Sequence, residues 1–338
     1  MKTNYPRDYM TIVASAPVKV ILFGEHAVVY GYPSIAAALN LYVHVKLRKI
    51  TSSDYLVVKS NSYKLEWKAD STPPPPFLPL NRIIDIIEEK CDFSVRNKGI
   101  YVEISSDVPP ACGLGTSAAC SVAFTSALLT YLGLDIEKSL INTYAYEAEK
   151  ISHGTPSGID NTISTYGGLI LYTKNKDPPF ESLENIPDIN IILVDSGIPR
   201  NTKRAVMLVA NLLKKYGVIR NILEIIGNLT EMAWTELKKG KDADIRLLGE
   251  YMNINHGLLS AIGVSSQMLE DIVYTLRKSG AYGSKITGAG LGGFVVGIVD
   301  NNNLHNLKRS LRKKGYSFYI SKINKYGVSV RQYKKFVA

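Results

Sequence analysis

The sequence predicts an α+β fold divided into two domains. Predicted strands and helices do not alternate regularly along the 338 residues, which disfavours a doubly wound parallel sheet. A chain of this length can support two hydrophobic cores, and a connector rich in Pro, Asp and Asn at residues 174–187 separates them. We therefore expect an N-terminal domain over residues 1–180 and a C-terminal domain over residues 181–338.

Hydrophobic patterning assigns the elements of the N-terminal half. Two strands, residues 12–16 and 18–23, are expected to be separated at Pro17, which has no N–H for a strand ladder. Residues 42–48 alternate apolar and polar side chains and predict a half-buried strand. The other predictions here are strands at 101–105, 168–172 and 189–194, helices at 81–90, 117–132 and 136–151, and a loop at 153–161.

Helical periodicity dominates beyond the connector. A glycine-rich loop at 287–293 precedes a strand at 294–299, and the basic run 308–314 predicts a solvated helix face. The tail has the pattern of two paired strands, 316–323 and 327–330. The predicted helices of this half are 202–216, 219–239, 244–257 and 267–279.

Composition excludes several classes of protein. The content of 46% hydrophobic and 21% charged residues is typical of a soluble globular protein. The first ten residues are polar and no apolar run approaches the ~20 residues of a membrane helix, so we expect neither a leader nor a membrane partner. Cys91, Cys112 and Cys120 have no disulfide or metal-ligand spacing, which predicts a cytoplasmic location. The net charge of +10 suits a polyanionic partner, but the basic residues are dispersed, which favours nucleotide phosphates over nucleic acid.

The most informative segment is residues 109–119, where a glycine-rich turn leads into an alanine-rich helix. Gly113 and Gly115 lack a Cβ, so the backbone can adopt positive φ and a ligand can approach closely. Thr116 and Ser117 supply hydroxyls at the start of the helix, where free N–H groups and the helix dipole attract anions. The segment therefore predicts a phosphate site.

Two other interpretations of this loop stay open from its residues alone. The loop matches the dinucleotide fingerprint, but Pro109 and Pro110 separate it from the preceding strand, and Asp135 begins a helix instead of ending a strand. It also fits a glycine cap on an ordinary buried helix. A Walker loop is excluded because no Gly-Lys-Ser/Thr follows the glycines. A second G-x-G-x-x-G, at residues 288–293, precedes a strand instead of following one, which favours close backbone packing.

Three ordered segments resemble the motifs of the GHMP kinase superfamily, small-molecule kinases without a Walker loop. They are residues 17–31, the glycine loop and residues 285–293. The run Glu-His-Ala-Val-Val-Tyr-Gly at 25–31 and the run His-Gly-Thr-Pro-Ser-Gly-Ile-Asp-Asn at 153–161 are similar to the mevalonate kinase family in particular. One departure concerns the third segment, where the family commonly has four consecutive glycines followed by Cys. Here Leu291 interrupts the glycines and Phe294 follows them.

The resemblance covers about residues 12–299 and implies a two-domain GHMP kinase architecture with the active site in the cleft between the domains. It implies ATP-dependent phosphorylation of (R)-mevalonate to 5-phosphomevalonate in isoprenoid biosynthesis, with Mg²⁺ as cofactor. ATP and mevalonate would be the partners, and a homodimer is left open. Another superfamily kinase, acting on phosphomevalonate or galactose, and a nucleotide-binding sensor without turnover are the alternatives.

The same resemblance implies roles for individual residues. Asp160 matches the catalytic carboxylate that accepts the proton of the C5 hydroxyl, and Lys19 matches the lysine that contacts it. A cation there would favour the charged carboxylate and offset charge on the γ-phosphoryl group. Ser117 and Glu149 match the metal ligands, and their oxygens suit Mg²⁺. The residues implied for ATP are Pro110, Ala111, Cys112, Gly113, Leu114, Gly115, Thr116 and Ser117. The residues implied for the substrate are Glu25, His26, Arg200 and Thr202, with Arg200 suited to a carboxylate.

Overall fold

A computed structural model describes residues 10–50, 54–91, 93–154, 156–174, 176–177, 179–183 and 185–334. Residues 1–9, on which the absence of a leader was predicted, and Thr155 of the 153–161 motif lie outside the described residues. Within this part of the chain, strands form an eight-stranded and a four-stranded sheet. The irregular order of helices and strands confirms the α+β prediction. No helix of the described ranges is long and apolar enough to cross a membrane.

Most predicted elements are present, with ends shifted by a few residues. The helices are α1 (Leu78–Cys91), α2 (Thr116–Leu132), α3 (Lys138–His153), α4 (Ile159–Tyr166), α5 (Thr202–Lys215), α6 (Val218–Leu237), α7 (Ile245–Ala261), α8 (Gln267–Lys278) and α9 (Leu304–Lys313). The strands are β1 (Met10–Phe23), β2 (Ser34–Lys49), β3 (Val57–Ser60), β4 (Leu65–Lys68), β5 (Ile100–Ser106), β6 (Leu169–Tyr172), β7 (Phe180–Ser182), β8 (Asn190–Asp195), β9 (Gly283–Ile286), β10 (Phe294–Val299), β11 (Phe318–Ser321) and β12 (Ser329–Lys334).

Each sheet is covered by its own group of helices. The larger sheet has the order β12-β1-β2-β5-β3-β4, with β6 beside the first half of β2 and β7 beside β6. Helices α2 and α4 pack on its strands, and α1 and α3 pack against α2. The smaller sheet has the order β11-β8-β10-β9, and α7 and α8 pack on it. The basic run falls largely on α9, whose buried side is formed by Leu307 and Leu311, as predicted for a solvated helix face.

The prediction of a strand break at Pro17 is wrong, because β1 is continuous from Met10 to Phe23. The proline is accommodated by a bulge, a shift in the pairing with β2 between Pro17 and Lys19. At this bulge the N–H of Lys19 donates to the carbonyl of Leu114 in the glycine loop, at 2.8 Å. The irregularity therefore joins the strand to the predicted phosphate site.

The prediction that the two tail strands pair with each other is also wrong. Strand β11 pairs with β8 in the smaller sheet, whereas β12 pairs with β1 in the larger one. The chain crosses between the sheets at Asn324, whose N–H donates to Ala38 O at 2.8 Å and whose carbonyl accepts from Gly168 N at 2.6 Å. The division at residue 180 stays a prediction, and the last strand lies in the sheet of the first half.

Candidate active site

The glycine loop ends in the helix start that the sequence predicts. Helix α2 begins at Thr116, and its first intrahelical bond runs from Ala119 N to Gly115 O, at 3.0 Å. The N–H groups of residues 116–118 precede that bond, so they point out of the helix end. The backbone has φ of 95° at Gly113 and 72° at Gly115. These features fit a site for phosphate oxygens.

Lys19 and Asp160 meet against this loop. Lys19 Nζ lies 3.1 Å from Asp160 Oδ1, and the two side chains are 7% and 34% exposed. A Cβ placed on Gly115 would lie 2.9 Å from Lys19 Cγ and 3.5 Å from Asp160 Oδ2. The absence of a side chain at Gly115 therefore makes room for the pair, which lies beside the predicted phosphate site.

Asp160 owes its position to the start of α4. The loop predicted at 153–161 is shorter than expected, because α3 continues to His153 and α4 begins at Ile159. Gly158 caps the helix with φ of 84°, and the Tyr172 hydroxyl donates to Ser157 O just before it. Asp160 thus lies in the first helical turn, where the helix dipole stabilises a carboxylate.

Ser117 and Glu149 form the second polar contact of the site. Ser117 Oγ donates to Glu149 Oε1 at 3.0 Å, which links α2 to α3, and Glu149 is buried. Glu147, two residues earlier, is turned away and pairs with Lys150. A hydroxyl and a carboxylate are hard oxygen donors, so this pair fits Mg²⁺ whose other ligands are phosphate and water. Elsewhere in the described ranges, no group of three or more His, Cys, Asp or Glu could hold a metal ion.

Glu25 and His26 occupy a tight turn after β1, and both are buried. Glu25 Oε1 accepts from Lys285 Nζ, and Glu25 Oε2 accepts from Asn255 Nδ2 at 3.3 Å. Both carboxylate oxygens are therefore engaged by protein groups. His26 Nε2 lies 2.9 Å from Ala289 O, and a carbonyl only accepts, so Nε2 carries the proton. Burial lowers the pKa of His26 below its ordinary value, which favours the neutral ring at pH 7.

Arg200 comes from the second half of the chain and reaches the first glycine loop. A Cβ placed on Gly113 would lie 2.7 Å from Arg200 Nη1, and one placed on Gly288 would lie 3.0 Å from the same atom. The guanidinium thus lies between the two glycine loops. Thr202 is exposed and begins α5, whose N-cap is Asn201. A substrate role for Thr202 stays a prediction.

The second glycine loop packs closely on neighbouring backbone, as its order before a strand predicts. A Cβ on Gly290 would lie 2.2 Å from Val264 O, and one on Gly292 would lie 2.7 Å from Ile198 O. Leu291, which replaces a family glycine, has φ of 58° and donates its N–H to Val264 O at 2.8 Å. The loop therefore keeps a left-handed conformation despite the Cβ.

The sequence carries no signal for an apolar pocket beside the first glycine loop. Its walls come from the turn after β3, the start of α1, β5 and α2, which approach one another only in the folded chain. Burial raises the pKa of the Cys120 thiol to about 12, so this lining residue is neutral at pH 7. Its apolar lining includes Tyr63, Pro76, Phe77, Leu80, Ile104 and Cys120.

Comparisons with known proteins test the resemblance that the motifs suggest. Residues 80–168 match the GHMP kinases N terminal domain, and residues 236–317 match the GHMP kinases C terminal domain. The mevalonate kinase of Pyrococcus furiosus is 36% identical, with 96% of this chain and 99% of that protein covered. The crystal structure of the Methanococcus jannaschii mevalonate kinase matches with a TM-score of 0.81 at 26% identity, over 92% of this chain and 98% of that one. That of the L. major mevalonate kinase in complex with R-mevalonate matches with a TM-score of 0.80 at 29% identity, over 92% and 95%. The chain belongs to the mevalonate kinase family of the GHMP kinases.

Proposed function

We propose that the protein transfers the γ-phosphoryl group of ATP to the C5 hydroxyl of (R)-mevalonate, giving 5-phosphomevalonate and ADP. The observation that carries this proposal is the contact of Lys19 and Asp160 against Gly115, which puts a proton acceptor and a cation beside a phosphate loop. The identity of the acceptor is inferred from the family, since the relatives are mevalonate kinases and one neighbouring structure contains R-mevalonate.

The reaction follows from these positions. Asp160 accepts the proton of the C5 hydroxyl while the hydroxyl oxygen forms a bond to the γ-phosphorus. The bond from that phosphorus to the oxygen bridging to the β-phosphate breaks, and ADP leaves with the electron pair. Lys19 holds the carboxylate through the 3.1 Å contact and offsets negative charge on the transferred group.

The nucleotide would lie along α2 and its loop. The amides of residues 116–118 bind phosphate oxygens, and the apolar pocket lined by Tyr63 and Phe77 takes the adenine ring. Ser117 and Glu149 would hold Mg²⁺, which, when bound, neutralises charge on the phosphates. Residues 110–117 would thus bind the phosphates, and the neighbouring pocket would bind the base.

The acceptor would lie on the side of Arg200. A guanidinium can bind a carboxylate through two parallel hydrogen bonds, and mevalonate carries one carboxylate. Arg200 belongs to the second half of the chain and Asp160 to the first, which supports a site in a cleft between two domains. A homodimer and a cytoplasmic location stay predictions, and sedimentation equilibrium tests the first of them.

The decisive experiment is ADP release from Mg·ATP with mevalonate, phosphomevalonate, galactose and homoserine as parallel acceptors. We expect turnover with mevalonate and background release with the other three. Preference for phosphomevalonate or galactose would move the protein to another branch of the superfamily. Nucleotide binding without ADP release from any acceptor would favour a sensor and contradict the proposal.

A further inference from the structure

A buried ion pair joins the two halves of the chain next to the site. Lys285 on β9 and Glu25 after β1 have side chains that are 0% and 1% exposed. Lys285 Nζ donates to Glu25 Oε1 and, at 2.7 Å, to the carbonyl of Ile286. Asn255 on α7 donates to the other oxygen of Glu25 at 3.3 Å. The carboxylate is thus held from two elements of the second half.

Such a pair is not explained by stability alone. Removing two charges from water costs several kcal/mol per ion, and apolar replacements of buried pairs are often neutral or stabilising. Burial raises the pKa of Glu25 and lowers that of Lys285, in both cases because it opposes the charged form. Stability therefore does not account for the pair by itself, and its surroundings indicate a further role.

The pair is the innermost of three connections between the same two segments. Thr287 Oγ1 donates to Ile21 O at 2.9 Å and accepts from Ile21 N at 3.2 Å. His26 Nε2 donates to Ala289 O at 2.9 Å. Residues 285–289 are therefore fixed to residues 21–26 at alternate positions, each through a side chain.

The fixed segments carry groups on the acceptor side of the site. Gly288 lies against the guanidinium of Arg200, since a Cβ there would be 3.0 Å from Nη1. His26 has φ of 62°, an unusual value for a residue with a side chain, which the surrounding contacts must hold. The first glycine loop has its own anchor, the bond from Lys19 N to Leu114 O.

We propose that Lys285 is a positioning residue for phosphoryl transfer, acting through Glu25 to set the positions of His26 and Arg200 against the acceptor. Glu25 then acts on the substrate indirectly, which revises the direct contact implied by the family resemblance. The inference rests on the proposed function, because it assigns these groups to the acceptor and not to ATP.

The test is a double-mutant cycle with Lys285→Met, Glu25→Gln and the double variant in the full chain. We expect each single variant to raise the KM for mevalonate by about tenfold, with the KM for ATP changed by less than about twofold. Because the two residues act as one unit, the double variant should be no worse than the poorer single variant. It also removes both charges, so it keeps the test possible if a single variant with an unpaired buried charge fails to fold.

Two controls separate positioning from loss of stability. Leu307→Ala removes a fully buried side chain on α9, away from the site, and should lower the Tm without changing either KM. Lys322→Met breaks an exposed ion pair with Asp188 and should change nothing measurable.

Three results would overturn the proposal. They are an unchanged mevalonate KM in folded Lys285→Met, a parallel rise of both KM values, and multiplied single effects in the double variant. The last of these would restore a direct contact for Glu25. If the wild-type protein uses another acceptor, the same cycle is measured with that acceptor, so failure of the proposed function remains distinguishable.

Discussion

The two glycine loops have the same spacing of small residues, and what surrounds their glycines differs. In the first loop the space of a Cβ is taken by side chains, those of Lys19 at Gly115 and Arg200 at Gly113. In the second loop it is taken by backbone at Gly290 and Gly292, where Val264 O and Ile198 O lie, whereas Gly288 again faces Arg200. The glycines of the first loop make room for functional side chains, whereas Gly290 and Gly292 of the second loop make room for neighbouring chain segments. The spacing alone does not distinguish the two reasons.

The largest effect is expected at the pair that Gly115 accommodates. Asp160→Asn should lower kcat by at least the ~10²-fold typical of a general base, because the amide cannot accept the hydroxyl proton. ATP should still bind, since the loop and α2 are unchanged, and binding is measured by calorimetry beside steady-state turnover. Glu147→Gln, a change at a half-buried carboxylate on α3, is the matched control. Near-normal turnover of Asp160→Asn would remove this residue from the catalytic role.

A substitution in the second loop should lower the free energy of unfolding. In Gly290→Ala the new Cβ would meet a backbone oxygen at 2.2 Å, and φ is 77°, so both overpacking and left-handed strain act. We expect a loss of about 3 kcal/mol in the free energy of unfolding, measured in denaturant. Gly315→Ala, at φ of 73° with nothing within 4 Å, isolates the strain and should cost only about 1 kcal/mol. Equal losses in the two variants would contradict the packing role.

A substitution in the first loop should mainly lower kcat. In Gly115→Ala the Cβ meets Lys19 Cγ at 2.9 Å and Cε at 3.2 Å, so most of the lysine side chain must shift, although no backbone atom blocks the new Cβ. Stability should therefore fall by more than in Gly315→Ala and by less than in Gly290→Ala, whereas displacement of Lys19 and Asp160 should reduce kcat by about tenfold or more. If activity falls only in proportion to the unfolded fraction, the glycine has no special relation to the pair.

Most of the site could be predicted from contiguous sequence motifs, whereas the rest depends on contacts between distant parts of the chain. The helix start at Thr116 and the segment ending at Asn161 could be recognised because each motif is contiguous. Pro17 led to a wrong prediction, because the strand continues past it through a shift in the pairing with β2. Beyond that shift Lys19 N donates to Leu114 O, in a loop far along the chain. Lys285 begins the third motif, but its role could not be predicted, because a lysine in a strand is usually solvent-facing and its partner is 260 residues away.

The apolar pocket beside the first glycine loop and the sheet of the last strand were beyond prediction for the same reason. The pocket walls belong to separate elements, and no single stretch of sequence has their pattern. Strand β12 has the same alternation whether it pairs with β11 or with β1, and only the completed larger sheet selects β1. Residue type and spacing determine local structure, whereas the neighbour across a sheet depends on the whole chain.

The smallest effect is expected at the residue that departs from the family. Leu291 has φ of 58°, so its Cβ costs about 1 kcal/mol that glycine would avoid, while its partly buried side chain returns a similar amount through packing. Leu291→Gly should therefore change the unfolding free energy by less than about 0.5 kcal/mol and leave kcat and both KM values within about twofold. Leu291→Ala keeps the strain but loses the packing, so it should be the less stable of the two. If Leu291→Ala is instead the more stable, strain does not set the balance at this position, and if Leu291→Gly alters the KM for mevalonate, the second loop contributes directly to the acceptor site.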